Sequence, residues 1–296
     1  MRIAVASGKG GTGKTTIAVS LLLSLAALED DLRPSELQLL DCDVEEPNAA
    51  IFVKPVIEGQ EEVGILLPEV DPALCTHCGR CAEVCAFHAI AVFGEKVLVF
   101  PQLCHGCGSC THNCPTGAIQ ERISPTGTIS WGSVPDCPGV RFGQGEMNVG
   151  EAMANPAIRA LKKKMIPESD DGVTILDAPP GNACPVVETL RGADVAILVT
   201  EPTPFGLHDL RIAVQVARGE LRIPTGVVIN RDGIGDGGVR TFCAENDIPV
   251  LLSIPLDRRI AEAYADGIPL VDAVPAYRRD FVDLYHKILT LVEGES

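Results

Sequence analysis

Short apolar blocks alternate with longer amphipathic stretches along most of the chain. Residues 3–6, 37–40, 173–176, 194–200, 225–229 and 250–254 are aliphatic runs with no polar face, bounded by Gly, Pro, Asp or Asn. That is the pattern of strands buried on both sides of a parallel sheet. Residues 17–28, 157–165, 206–217, 238–246 and 277–292 carry helical apolar spacing instead. Strands separated by helices predict an α/β fold, a mostly parallel sheet with helices on both faces.

Two stretches break this rhythm. Residues 71–122 read as a separate small α+β insert, with a hairpin over 91–100 turning at Gly94. Residues 123–151 are Gly-rich with short alternations such as 128–131, and read as a return path from the insert. The expected organisation is therefore a first α/β part over 1–70, an insert over 71–122 and a second α/β part over 123–296.

With 296 residues, 46% of them hydrophobic, the chain is long enough for a full core. Its net charge of −16 and lack of a basic stripe argue against a nucleic-acid partner. Met1 leads straight into the first strand and no apolar run reaches 18 residues, so a cytoplasmic protein with no membrane anchor is expected. In the last helical pattern Tyr277, Phe281, Leu284, Tyr285, Ile288, Leu289 and Val292 share a face. The polar face has few cations and the tail Glu293–Ser296 is acidic, which favours core packing over lipid contact.

Chemistry concentrates at the strand ends. After residues 3–6 comes Ser7-Gly8-Lys9-Gly10-Gly11-Thr12-Gly13-Lys14-Thr15-Thr16, a G-x-x-x-x-G-K-[ST] match between a strand and a helix. Such a loop turns backbone N–H groups toward phosphate oxygens and adds the positive end of a helix. Lys14 would neutralise terminal phosphates and Thr15 would ligate Mg²⁺. The second strand ends in Asp41-Cys42-Asp43, and a later one in Asp177-Ala178-Pro179-Pro180-Gly181. Carboxylates there sit where open α/β sheets bind ligands. Taken alone, the first pair could cap a helix and the second string could be a turn.

Eight of the twelve cysteines and four of the six histidines fall within 71–122. In a reducing compartment such cysteines are metal ligands or free thiols. They form C-x₂-C-x₂-C-x₃-C twice: Cys75, Cys78, Cys81, Cys85 and Cys104, Cys107, Cys110, Cys114. Three close thiolates wrap three corners of a cubane, while the fourth of each run reaches the other cluster. Cys75, Cys78, Cys81 and Cys114 are thus expected to hold one [4Fe–4S] cluster, and Cys104, Cys107, Cys110 and Cys85 the second. A zinc ribbon would use C-x₂-C pairs but leave the third and fourth thiols idle. His77, His88, His105 and His112 read as polar neighbours. Cys42, Cys137, Cys184 and Cys243 stand alone and read as structural thiols, with a cluster bridging two chains through Cys137 and Cys184 as the alternative.

The string GKGGTGKTT resembles the deviant phosphate loop of the MinD, ParA, Mrp and nitrogenase iron-protein ATPases. The twin cysteine run is similar to a bacterial two-cluster ferredoxin, with Ala86 where that pattern usually has proline. Nearly the whole chain resembles MinD-superfamily (CobQ/CobB/MinD/ParA) ATPases with an inserted ferredoxin domain. The resemblance implies an ATP-dependent homodimer in which Lys9 reaches the partner's nucleotide. It also implies that Asp43 orients the attacking water, that Asp177 holds the Mg²⁺ shell and that the Gly181 N–H meets the γ-phosphate. Asn230 would read the adenine edge, with Pro255 and Asp257 in the loop over the base, although Asp257 could equally cap the next helix. Two functions follow as expectations. One is ATP-gated electron transfer to a redox partner; the other is cluster assembly or delivery to apo-proteins, as in the Mrp branch. A third reading is a partner-positioning ATPase whose clusters sense redox state.

Overall fold

The computed structural model describes residues 1–29, 33–166 and 172–294; the last two residues of the acidic tail lie outside these. The chain divides into two compact units, the first made of Met1–Glu61, Ile129–Glu146 and Ile158–Ser296, the second of Glu62–Thr128 and Met147–Ala157.

The first unit opens with β1 (Arg2–Ala6), α1 (Lys14–Ala26), β2 (Leu37–Asp41) and α2 (Ala49–Val53). The long strand β3 (Val56–Val70) then carries the chain into the second unit. There α3 (Arg80–Glu83), the hairpin β4 (Ile90–Phe93) and β5 (Lys96–Val99), and α4 (Ser109–His112) follow. A second long strand, β6 (Ile119–Ser133), leads back, followed by β7 (Val140–Met147) and α5 (Asn155–Met165). The remainder alternates as expected: β8 (Val173–Asp177), α6 (Cys184–Leu190), β9 (Val195–Thr200), α7 (Pro204–Val214), β10 (Thr225–Asp232), α8 (Gly238–Glu245) and β11 (Val250–Pro255). Three helices close the chain: α9 (Arg258–Ala265), α10 (Leu270–Ala273) and α11 (Tyr277–Glu293).

The main sheet has nine strands in the order β11-β10-β9-β1-β8-β2-β7-β6-β3. β1 pairs in parallel with β8 and β9, and β2 with β7 and β8. In β1, β2, β8 and β9 both side-chain sets are buried, which explains the absence of polar alternation. Ile3, Val5, Leu39, Ile175 and Ile197 join one cluster with α1, α10 and α11. Leu40 lies on the opposite face, close to Gly143 with Leu161 and Met165 of α5. Phe281, Leu284 and Ile288 of α11 are fully buried in the first cluster, as core packing requires. No helix among the described residues is long and apolar enough to cross a membrane.

The expected return path over 123–151 is corrected: it contains most of β6 and all of β7, both in the main sheet. Glycine misled the reading because it serves close strand packing there. A Cβ on Gly132 would lie 1.9 Å from the Val56 carbonyl oxygen. The second unit also exceeds the expected 71–122, taking in parts of both long strands and Met147–Ala157.

Candidate functional site

The carboxyl ends of β1, β2, β8, β10 and β11 open into one cleft of about 410 Å³. Gly10, Gly11, Gly13, Lys14, Thr15, Thr16, Asp43, Asn230, Pro255 and Asp257 line it together. Those residues are separated by more than 200 positions in the chain, and parallel strand order alone brings them to the same edge. Gly13 caps α1 with a left-handed backbone (φ 97°), so the helix starts at Lys14 and its first amides face the loop. A Cβ on Gly8 would lie 2.5 Å from Asp209 on α7, which leaves no room for a side chain where the loop crosses that helix.

Charge in the cleft is arranged around Lys14, which is only 7% exposed. Burial lowers its pKa, while Asp177, Asp43 and Asp41 pull in the opposite direction. Asp177 is fully buried, and burial pushes its carboxyl well above the usual range. The neighbouring Thr15 hydroxyl favours its charged form, yet neither Asp177 oxygen meets hydrogen-bond geometry with any group. A buried carboxylate without a donor, facing a threonine hydroxyl in the first turn of α1, suits a hydrated Mg²⁺. Burial also raises Asp43 to about 6.

Asp41, fully buried, proves to be the staple of the segment that bears Asp43. It accepts the amides of Asp43 (3.1 Å), Asn48 (2.9 Å) and Ala49 (2.9 Å), and burial still raises its pKa to about 6. Nothing in the sequence separates Asp41 from Asp43; Asp41 ends β2, whereas Asp43 lies beyond the strand, where the chain has left the sheet and lines the cleft.

Other candidates are tied to the loop itself. The Gly181 N–H donates to the Ser7 carbonyl (3.2 Å). Asn230 donates to the Thr12 carbonyl (2.8 Å) and accepts the Arg231 N–H (2.9 Å), so it fastens β10 to the phosphate loop as well as lining the cleft. Asp257 has both roles weighed for it, capping α9 through the Arg259 amide (2.9 Å) and lining the cleft. Lys9 does not extend freely: its Nζ lies 2.9 Å from Glu201 Oε2. Leu256, Ile260 and Tyr264 form an apolar end of the cleft that the motifs could not reveal. The Tyr264 ring packs against Phe52 of α2 with centroids 5.1 Å apart and planes tilted by 38°.

In the second unit, Cys85, Cys104, Cys107 and Cys110 line a single cavity, one thiol from the first run with three from the second. Cys75 and Cys110 are electrostatic neighbours of Cys81. The repeat extends to the backbone at a spacing of 29 residues. His77 and Gly106 are both left-handed (φ 56° and 62°), as are Gly79 and Gly108, and His88 and Gly117. Amides at the same offset approach sulfur: Ala89 N–H to Cys85 Sγ at 3.2 Å, and Ala118 N–H to Cys114 Sγ at 3.3 Å. Such bonds favour thiolates, and Cys107 is lowered by the Ser109 amide and hydroxyl. The donor set therefore fits a cubane held by four thiolates. Phe87 stacks on His105 (3.7 Å), and both flank the four-cysteine cavity. Among the described residues, no three His, Cys, Asp or Glu side chains converge on a single-ion site. Cys42 and Cys243 are buried, with pKa values pushed up by that burial, as structural thiols are; Cys137 is half-buried and Cys184 exposed.

Fold and cleft define the first unit as a P-loop nucleotide-binding α/β protein. Residues 3–270 match the CobQ/CobB/MinD/ParA nucleotide binding domain, and the chain belongs to that family. Two uncharacterized proteins of Methanocaldococcus jannaschii are each 30% identical, one over 90% of both chains, the other over 97% of this chain and 96% of its own. An iron-sulfur cluster carrier protein of Pyrococcus horikoshii is 26% identical over 97% of this chain and 85% of that protein. The same fold occurs in the septum site-determining protein MinD of Pyrococcus horikoshii, solved with Mg-ADP. That structure has a TM-score of 0.57 and 19% identity, covering 100% of this chain and 98% of that one.

Proposed function

We propose that this protein is an ATP-driven iron–sulfur carrier, a nucleotide switch whose second unit holds two [4Fe–4S] clusters for delivery to an apo-protein. The observation that carries the reading is the cavity bounded by Cys85, Cys104, Cys107 and Cys110 in a chain that also has a complete phosphate loop. Relatives named iron-sulfur cluster carrier proteins, matching most of this chain, support cargo over relay.

Lys14 and the loop amides hold the triphosphate of ATP, and Thr15 with Asp177 would hold Mg²⁺, which supplies Lewis-acid neutralisation of the phosphates. Asp43 orients the attacking water. The Gly181 amide exchanges the Ser7 carbonyl for the γ-phosphate, and the proline pair before it makes that exchange a discrete backbone shift. Asn230, Pro255 and Asp257 enclose the base. Lys9 completes the site of a second protomer in an ATP-dependent homodimer. Cys75, Cys78, Cys81 and Cys114 hold the first cluster, and Cys104, Cys107, Cys110 and Cys85 the second.

A second reading is favoured by the donor set itself, because four thiolates per cluster leave no open position for exchange. Under it the clusters stay, and hydrolysis gates electron transfer to a redox partner. One experiment separates the two. Protein reconstituted with ⁵⁵Fe and labelled sulfide, about eight irons per chain, is mixed anaerobically with an apo-ferredoxin, with and without MgATP. ATP-dependent appearance of label in the acceptor supports the carrier. In a parallel mixture the protein is first reduced with dithionite, freed of excess reductant and added to holo-ferredoxin; label that stays while the holo-ferredoxin is reduced only with MgATP supports the relay and refutes delivery.

A further inference from the structure

Lys9 is turned back onto its own protomer by a built arrangement. The Ser7 hydroxyl donates to the Lys9 carbonyl (2.6 Å), bending the loop toward β9. There the ammonium meets Glu201, whose side chain is only 8% exposed. Glu201 also takes Arg231 on its second oxygen, so both carboxylate oxygens are engaged by cations. Its backbone is fixed by the turn into α7. The Glu201 carbonyl accepts the Thr203 amide (2.8 Å), and a Cβ on Gly206 would lie 2.2 Å from that same oxygen. Arg231 holds a left-handed backbone (φ 53°) and lines the nucleotide cleft beside Asn230. One rigid carboxylate thus joins the loop lysine to the cleft wall.

We propose that Glu201 is a positioning residue that clamps Lys9 in the free protomer, and that dimerisation on ATP transfers this ammonium from the Glu201 carboxylate to phosphate oxygens of the partner's nucleotide. The proposal rests on Lys9 as the partner-reaching lysine. A nearly buried carboxylate with two cations is a competitor that a phosphate must outbid, so the pair sets the dimer's affinity threshold. When Lys9 leaves, Arg231 stays on the other oxygen of Glu201, so the nearly buried carboxylate is not left without a cation.

The test reads the clamp and the dimer separately. In nucleotide-free protein, acetylation of Lys9 by a sulfo-succinimidyl ester is followed by mass spectrometry. Glu201→Gln is expected to label about fivefold faster than the parent, the factor for releasing a pair of this strength. Glu201→Asp keeps the charge, guards against misfolding, and should fall between. Unchanged labelling in both variants overturns the clamp. In an Asp43→Ala background with saturating ATP, sedimentation should give a dimer Kd about fivefold lower for Glu201→Gln; a higher Kd would mean Glu201 aids the dimer and overturns the transfer. Dimerisation by Lys9→Ala protein would instead remove the premise about Lys9, leaving the labelling result to stand by itself.

Discussion

The two units of this chain build their sites by different means. In the first, Lys14, Asp41 and Asp177 are held by strands and a helix whose apolar residues are buried in one large cluster. In the second, one buried cluster joins Leu67, Ala89 and Cys104, with Ile65 and Cys85 against it, so two of the candidate cluster cysteines are part of the core. Its helices α3 and α4 are four residues long and bury nothing. A site made by a core precedes its ligand, whereas one made of loops needs its ligand to exist.

The largest effect should come from removing iron. Chelation under oxidising conditions is expected to cut amide-exchange protection in 75–114 at least about 10³-fold while β1 and α1 keep theirs. Equal protection in both units after chelation would break the contrast. Lys14→Ala acts on the prebuilt site and should lower ATP hydrolysis by about 10²–10³. Iron content should remain that of the parent, since the two sites share no ligands.

Asp41→Ala sharpens the comparison within the first unit. Three amides lose their acceptor, and a cost of about 2 kcal/mol is expected, with faster exchange confined to Asp43, Asn48 and Ala49. The smallest effect is on pH. Asp41 and Asp43 have pKa values raised to about 6, so between pH 4 and pH 6 the folded protein binds protons more tightly than the unfolded chain. Their stabilising effect is greatest near pH 4 and is lost as pH rises through 6. The melting temperature of nucleotide-free protein should decline over that window, and Asp41→Asn should flatten the decline.

Much of this was legible in one dimension. The six aliphatic blocks became strands because both faces are covered, and both covered faces show in sequence as unbroken apolar runs. The cysteine spacing grouped Cys85 with Cys104, Cys107 and Cys110, and the structure brings these four side chains to one cavity. The strands at 119–133 and 140–147 were hidden, since their glycines mark close backbone approach rather than turns.

Sequence by itself determined the fold class, the phosphate loop and the twin run of eight cysteines, all of which depend on residues near one another in the chain. Only tertiary structure decided that Asp41 staples what Asp43 serves, that Asn230 ties the loop, and that Glu201 holds Lys9 across 192 positions. Such pairings depend on which strand ends and following turns meet at the sheet's carboxyl edge, and that is not written in local spacing.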